Sequence, residues 1–146
     1  MKTTGAKGKL NTLTKTLFSG ILVTMMIFSF SSCAKKALFL ISSVVPAAQG
    51  EVTVTKDKNN NFVIKMQISN LAQVDRLQPP KKSYVVWMEA EQGITRNIGL
   101  ITSSNKLNVS FETVATLRPT RIFITAEEDE GVQSPGSMVV LTTGRL

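Results

Sequence analysis

The feature that most constrains this chain is an alternation of apolar and polar residues with a period of two. Phe62, Ile64, Met66 and Ile68 alternate with Val63, Lys65, Gln67 and Ser69, and Leu107, Val109 and Phe111 alternate with polar neighbours in the same way. Successive side chains of a β-strand point to opposite faces, so this pattern predicts strands with one buried face. No stretch after residue 50 shows a helical 3.6-residue period. The folded part of the chain is therefore predicted to be all-β.

Shorter signals predict the remaining strands and the turns between them. Residues 83–88 and 122–125 are continuously apolar, as expected of central strands, and weaker patterns mark strands at 52–54, 97–102 and 138–143, with a possible first strand at 38–45. Turn-forming residues separate these runs, among them residues 57–61, Gln92-Gly93 and Pro135-Gly136. Seven or eight short strands at this spacing predict an antiparallel, immunoglobulin-like β-sandwich.

The N-terminal residues carry a different pattern, which is typical of a secretion signal. Four lysines and no acidic residue precede an apolar segment at residues 17–30, which is followed by Ser31, Ser32 and the only cysteine, Cys33. This arrangement resembles a bacterial lipoprotein signal, and the resemblance implies cleavage before Cys33 and acylation of its thiol. It predicts a signal peptide at 1–32, in helical form, a lipidated Cys33 with a short tether at 33–37, and a sandwich domain at 38–146. Without lipid, Cys33 would be an unpaired thiol in an oxidising compartment.

Two alternatives for the N-terminal segment remain open. The segment is either a signal anchor that is never cleaved, or it is cleaved later, near residues 45–48, to release a soluble product. An apolar run of 14 residues is short for a membrane-spanning helix, which needs about 20. This length favours cleavage over a permanent membrane span.

The positive charge of the chain is mainly a property of the signal. The formal net charge is +7, but without the four signal lysines 13 basic residues face 10 acidic ones. A nucleic-acid partner is therefore not predicted. The predicted partner is the membrane, through lipid on Cys33, together with an unidentified envelope protein. The domain is expected to face the periplasm, and Ala34, which is not acidic, favours the outer membrane over the inner one.

No catalytic residue, cofactor or metal site is predicted, and the chain is not expected to be an enzyme. It contains no histidine, which removes the commonest general base and zinc ligand. Ser83 follows Lys81 and Lys82, but neighbouring side chains of a strand point to opposite faces, so a serine–lysine pair is not expected.

Two stretches carry side-chain oxygens of the kind that calcium binds. Residues 127–130 are all acidic and either begin a carboxylate site or form a solvated loop, of which the loop is favoured. Asp57, Asn59 and Asn61 match the start of a calcium-binding loop. However, Phe62 and Ser69 stand where that loop requires glycine and glutamate, so no calcium site is predicted there.

The strand at 83–88 is apolar on both faces, since Tyr84, Val86 and Met88 share one face and Val85 and Trp87 the other. We expect Trp87 to be the central core residue of the sandwich, as in immunoglobulin-like domains. The alternative is that the face of Trp87 meets a partner, a ligand or the bilayer.

Two segments resemble a known family. Tyr84-Val85-Val86-Trp87 followed by Gly93 and Asn97-Ile98-Gly99, and Ile124-Thr125-Ala126-Glu127 followed by Gly131 and Pro135-Gly136, resemble motifs of the anti-sigma-K factor C-terminal domain. The resemblance covers residues 83–141 and implies an extracytoplasmic β-sandwich carried behind a membrane helix. Glu128 replaces the family's usual proline, and about 16 residues precede the apolar segment, too few for a sigma-binding domain. The alternative function that it implies is an extracytoplasmic sensor of an anti-sigma-like regulator.

Overall fold

Eight antiparallel strands form two four-stranded sheets in the computed structural model, which describes residues 34–101 and 108–146. The strands are β1 (Lys35–Leu38), β2 (Gln49–Lys56), β3 (Phe62–Ser69), β4 (Ser83–Ala90), β5 (Thr95–Ile101), β6 (Val109–Ala115), β7 (Pro119–Glu127) and β8 (Val139–Thr142). Short 3₁₀ turns occupy Val74–Arg76 and Glu91–Gly93. The predicted signal helix, Cys33 and Leu107 lie outside the described residues.

The two central strand pairs are those of an immunoglobulin-like sandwich, and one strand is added at an edge. The first sheet has the order β1-β2-β3-β6 and the second the order β5-β4-β7-β8. In an immunoglobulin sandwich the second strand pairs with the fifth and the third with the sixth, in opposite sheets. Counted from β2, the pairs β3–β6 and β4–β7 satisfy this rule, and β1 is an additional edge strand beside β2. The predicted all-β sandwich is confirmed.

The core lies between the inward faces of the two sheets, where the period-two pattern placed it. Ile64, Met66 and Ile68 of β3 are buried, whereas Lys65 and Gln67 between them are exposed. The second sheet contributes Tyr84, Val86 and Met88 from β4 and Ile122 and Ile124 from β7. The alternation in the sequence thus identifies the buried face of β3 correctly.

The predicted hairpin turns are present, and each contains a left-handed residue of a type that tolerates this backbone, Asn60 or Gly93. Asn60 has φ 65° in the β2–β3 turn, and Gln92 and Gly93 have φ 69° and 74° between β4 and β5. Asp57 Oδ1 accepts hydrogen bonds from the Asn59 and Asn61 amides at 2.7 and 2.8 Å. These bonds fix the β2–β3 hairpin with local side chains.

The first strand differs from its prediction at 38–45. It begins at Lys35, within the residues predicted as a tether, and pairs with β2 from Lys35↔Val54 to Leu38↔Glu51. Beyond Phe39 the chain leaves the strand, because Ser42 Oγ accepts a hydrogen bond from the Val45 amide at 2.8 Å and turns the backbone.

The chain changes sheets immediately after β1. The Phe39 amide donates to the Gly50 carbonyl of β2 at 3.0 Å, whereas the next amide, of Leu40, donates to the Thr142 carbonyl of β8 at 2.8 Å. Phe39 also forms an isolated bridge with Thr143. The segment at residues 35–40 therefore links the edge of the first sheet to the edge of the second.

Gly50 occupies a position in this link where no side chain fits. A Cβ atom at Gly50 would lie 2.4 Å from the Gln67 carbonyl oxygen and 3.0 Å from Ile68 Cα. Both atoms belong to the backbone of β3, so a side chain here would push β2 and β3 apart.

We predict that Gly50→Ala lowers the free energy of unfolding by about 1–3 kcal/mol, the usual cost of overpacking. Gly144→Ala is the matched control, because its added Cβ meets no atom within 4 Å. Its effect should stay within about 0.5 kcal/mol. Denaturant unfolding measures both values, and equal stability of the two variants would contradict the close approach at Gly50.

Candidate functional site

The outer face of the second sheet holds a small apolar cluster that is separate from the core. Val85, Trp87 and Phe123 are buried there, and Leu100 and Val132 pack against them. Trp87 is fully buried, as predicted, but it belongs to this outer cluster and not to the core between the sheets, so only its predicted central place is wrong. The reason is that the other face of β4 already fills the core, while the chain covers the outer face of the sheet with Val132.

Hydrogen bonds join strands β4 and β7 on this outer face and hold the loop after β7 against it. Trp87 Nε1 donates to Thr125 Oγ1 at 2.7 Å, and Asn97 Nδ2 donates to the Val132 carbonyl at 3.3 Å. The Gly136 amide donates to Glu127 Oε1 at 2.7 Å. The indole stacks on the Phe123 ring with a centroid distance of 6.4 Å. We call these three hydrogen bonds, together with the stacking of Trp87 on Phe123, the loop clamp.

Most residues of the loop clamp are the residues that carry the family resemblance, and their contacts are structural. The same holds for Gly99, with φ 145°, because a Cβ there would lie 2.8 Å from the Phe111 ring of β6. Asn97 Oδ1 accepts a hydrogen bond from the Gly99 amide at 3.0 Å. These motif residues therefore position backbone and loop, and their geometry offers no reactive group.

Tyr84, the remaining polar member of the motif, is also engaged within the fold. Its hydroxyl donates to the Ala72 carbonyl at 3.0 Å. Burial, helped by the negative charge of Asp75, raises the pKa of Tyr84 to about 12. The phenol is therefore neutral near pH 7 and acts as a hydrogen-bond donor, not as a base.

The acidic run at 127–130 does not form a common carboxylate site. Glu127 belongs to β7 and is buried against the Gly136 amide, a position that differs from the predicted solvated loop. Glu128 pairs with Lys81 at 3.2 Å, and Asp129 Oδ1 accepts from the Gly131 amide at 3.0 Å. Among residues 34–101 and 108–146, no group of three or more acidic or cysteine side chains is placed to hold a metal ion.

The other candidate groups are held by neighbouring residues or are buried. Desolvation raises the pKa of Asp57, but hydrogen bonds from Asn61 and Asn59 outweigh it and hold this pKa below its usual value. Lys81 is paired with Glu128, as described above. Within the described part of the chain, Ser83 Oγ is buried and has no hydrogen-bond partner. The structure thus gives no sign of an activated serine.

A polar cleft of about 670 Å³ opens at the end of the second sheet, lined by charged residues that include Glu89, Arg121 and Arg145. Arg121 forms an ion pair with Glu89, and the neighbouring Arg118 pairs with Glu91 at 3.6 Å. Because these pairs are largely exposed, they contribute little to stability. They also provide Arg118 and Arg121, near the cleft, with carboxylate partners.

The one predicted site residue, Cys33, lies outside the described residues, but the segment that follows it is described. Ala34 leads directly into β1, which begins with the exposed Lys35 and Lys36. Beyond them Leu38, Leu40 and Ile41 are 71%, 55% and 92% exposed. We call these three aliphatic side chains the apolar edge.

Sequence reasoning missed the apolar edge because residues 37–41 are apolar without interruption. A continuous apolar run does not show which side chains face the core. The change of sheet decides which of these side chains are buried. It buries Phe39 and leaves its neighbours Leu38 and Leu40 exposed to solvent.

Comparisons with known proteins add no identification. No protein-family model, curated protein or solved structure matches the chain. Within residues 34–101 and 108–146, no helix has both the length and the apolar character required to cross a bilayer.

We predict that the Trp87–Thr125 hydrogen bond couples the two residues energetically. Thr125→Val leaves the buried indole N–H without its acceptor and should cost about 1–3 kcal/mol of unfolding free energy. The double variant Trp87→Phe/Thr125→Val should lose less than the sum of the single variants, by about 0.5 kcal/mol or more.

Denaturant unfolding of the four proteins gives this coupling energy. The half-buried Thr53 of β2 provides a control, and Thr53→Val should change stability by no more than about 0.5 kcal/mol. Strict additivity of the Trp87 and Thr125 substitutions would contradict the predicted coupling between β4 and β7.

Proposed function

We propose that this protein is a lipid-anchored lipoprotein of the bacterial cell envelope, with a non-catalytic β-sandwich that serves a binding or structural role. Residues 1–32 are removed as a signal peptide and Cys33 carries the lipid, palmitate included. The sandwich faces the periplasm, with the outer membrane favoured over the inner one.

The observation that carries this proposal is the short distance in sequence between the cysteine and the fold. β1 begins at Lys35, two residues after Cys33, so folded structure starts almost at the anchor. Two residues span about 7 Å at most, which keeps the start of β1 at the membrane surface. A soluble product cleaved near residues 45–48 would lack β1 and its pairing with β2. The sheet pairing therefore supports cleavage before β1.

The energetics of the anchor are sufficient for stable attachment. Each methylene buried in the bilayer contributes about 0.8 kcal/mol, and two or more acyl chains hold a protein stably where one does not. Lys35 and Lys36 lie beside the anchor, and each lysine near anionic headgroups adds about 1 kcal/mol. Lys36 also pairs with Glu51 at 3.3 Å, which reduces its share.

The non-catalytic role is supported by what the polar motif residues do in the fold. Trp87, Thr125 and Glu127 hold the loop clamp, and Tyr84 is a neutral donor to a backbone carbonyl. The partner is proposed to be the membrane itself and an envelope protein that the sequence does not name. A nucleic-acid partner does not fit a domain with nearly balanced charges.

The second candidate is an extracytoplasmic sensor domain of an anti-sigma-like membrane regulator, with residues 1–32 retained as the anchor. The observation that favours it is the loop clamp, since residues of both resembling motifs meet in one connected structure. This candidate requires an intact N-terminus, which separates it from the lipoprotein.

We predict that protein extracted from bacterial membranes begins at Cys33 and has the mass of the acylated chain. It should incorporate labelled palmitate, and Cys33→Ser should abolish the label because the acceptor thiol is missing. Ser32→Ala is the matched control, since alanine keeps a small residue before the cysteine and should keep the label.

Two results would contradict this prediction. An unlabelled protein that still sediments with membranes and retains Met1 would support the regulator instead. A product that starts after residue 45 would remove the anchor and the pairing of β1 altogether.

A further inference from the structure

We infer that the sandwich lies edge-on against the bilayer, with Leu38, Leu40 and Ile41 entering the interfacial layer. This inference rests on the proposed anchoring at Cys33 and adds to it the face of the domain that meets the lipid. The anchor fixes only where the chain is attached, whereas the apolar edge fixes how the domain is oriented.

Exposed aliphatic side chains are concentrated on one edge of the described structure. Six large hydrophobic residues are exposed among residues 34–101 and 108–146, and four of them lie on the apolar edge or on the adjoining strand β8: Leu38, Leu40, Ile41 and Val139. The Leu40 amide joins the apolar edge to β8 through the Thr142 carbonyl. A cluster of this kind beside an apolar or lipidated segment is typical of an interaction surface.

The direction of β1 connects the anchor with the apolar edge. β1 is extended and pairs with β2 from Lys35 to Leu38, which is about 10 Å along the strand direction, and Leu40 and Ile41 follow its far end. If the domain stood on the end of β1 nearest Cys33, Leu38 at the other end of the strand would be held about that far from the surface. With β1 parallel to the bilayer, the residues at both ends of the strand reach the lipid.

The residues around the apolar edge fit a membrane surface. Lys35 and Lys36 are exposed and precede it, and basic residues beside aliphatic ones are typical of surfaces that bind anionic bilayers. Glu51 lies opposite Leu38 in the sheet register, but its carboxylate is paired with Lys36. A shallow depression of about 550 Å³ lies between Leu38, Ile41 and Pro46 on this surface.

The competing occupant is a second copy of this chain, because β1 is an edge strand with one unpaired side. Charged residues on an edge strand oppose pairing of this kind, and Lys35 and Lys36 supply such charges. The attachment point decides between the two occupants, since the anchor brings lipid within reach of every anchored molecule at any protein concentration.

The test uses introduced cysteines, since the only native cysteine is acylated under the proposed function and does not react. The variants Leu38→Cys, Leu40→Cys and Ile41→Cys of the mature lipidated protein are labelled with a nitroxide. They are reconstituted into vesicles of phosphatidylethanolamine and phosphatidylglycerol. Val114→Cys is the matched control, because Val114 is 58% exposed and lies on β6, the opposite edge of the first sheet.

The expected result is that labels at the three edge positions collide more with oxygen and less with a water-soluble nickel chelate than the label at Val114→Cys. Fluorescence of the single tryptophan, which is buried, verifies that each variant is folded. Labels at the edge that are as accessible to nickel as the control would overturn the edge-on orientation while leaving the anchor intact. Spin–spin broadening at the edge would assign this surface to a second copy and overturn the inference as well.

Failure of the proposed function gives a different result. If unsubstituted protein takes up the nitroxide at Cys33, or does not sediment with the vesicles, then the anchor is absent and the orientation loses its basis. The cysteine variants therefore test the edge-on orientation, and the unsubstituted protein tests the anchor separately.

Discussion

The fold depends most on the change of sheet between Phe39 and Leu40. The Phe39 amide bonds to β2 and the Leu40 amide to β8, so two consecutive residues close one edge of the sandwich. Phe39 is buried as a result, and Leu38 and Leu40 on either side of it face outwards. One backbone constraint thus completes the core and also creates the exposed aliphatic surface next to the predicted anchor.

The second sheet shows why polar motif residues that resemble a functional site in the sequence have a structural role. The central strands β4 and β7 are buried on both faces, one against the first sheet and the other beneath the loop after β7. A buried outer face requires its polar groups to be paired, since an unpaired buried group is costly. Thr125 pairs with Trp87, and Glu127 pairs with the Gly136 amide. The motif residues Trp87, Thr125 and Glu127 therefore pair polar groups on the covered outer face of the second sheet.

The sequence predicts those parts of the structure whose signal is local. The alternation in β3 identifies its buried face, and Asn60 and Gly93 mark turns because Asn and Gly tolerate a positive φ. The location of Trp87 and the exposure of Ile41 were not predictable in this way. Both lie in runs that are apolar at every position, where the face is chosen by distant segments: the loop carrying Val132 and the edge of β8. The Cys33 pattern is local and readable, and it lies outside the described residues.

The central claim is that the edge formed by β1 and residues 39–41 is the face through which the domain meets the bilayer. Its most direct test is an NMR map of all backbone amides in the unsubstituted lipidated protein, held in nanodiscs that contain nitroxide-labelled lipid. The account predicts the strongest relaxation enhancement at Lys35 to Ile41 and the weakest on β6. Uniform enhancement over the domain, or a maximum on β6, would contradict it.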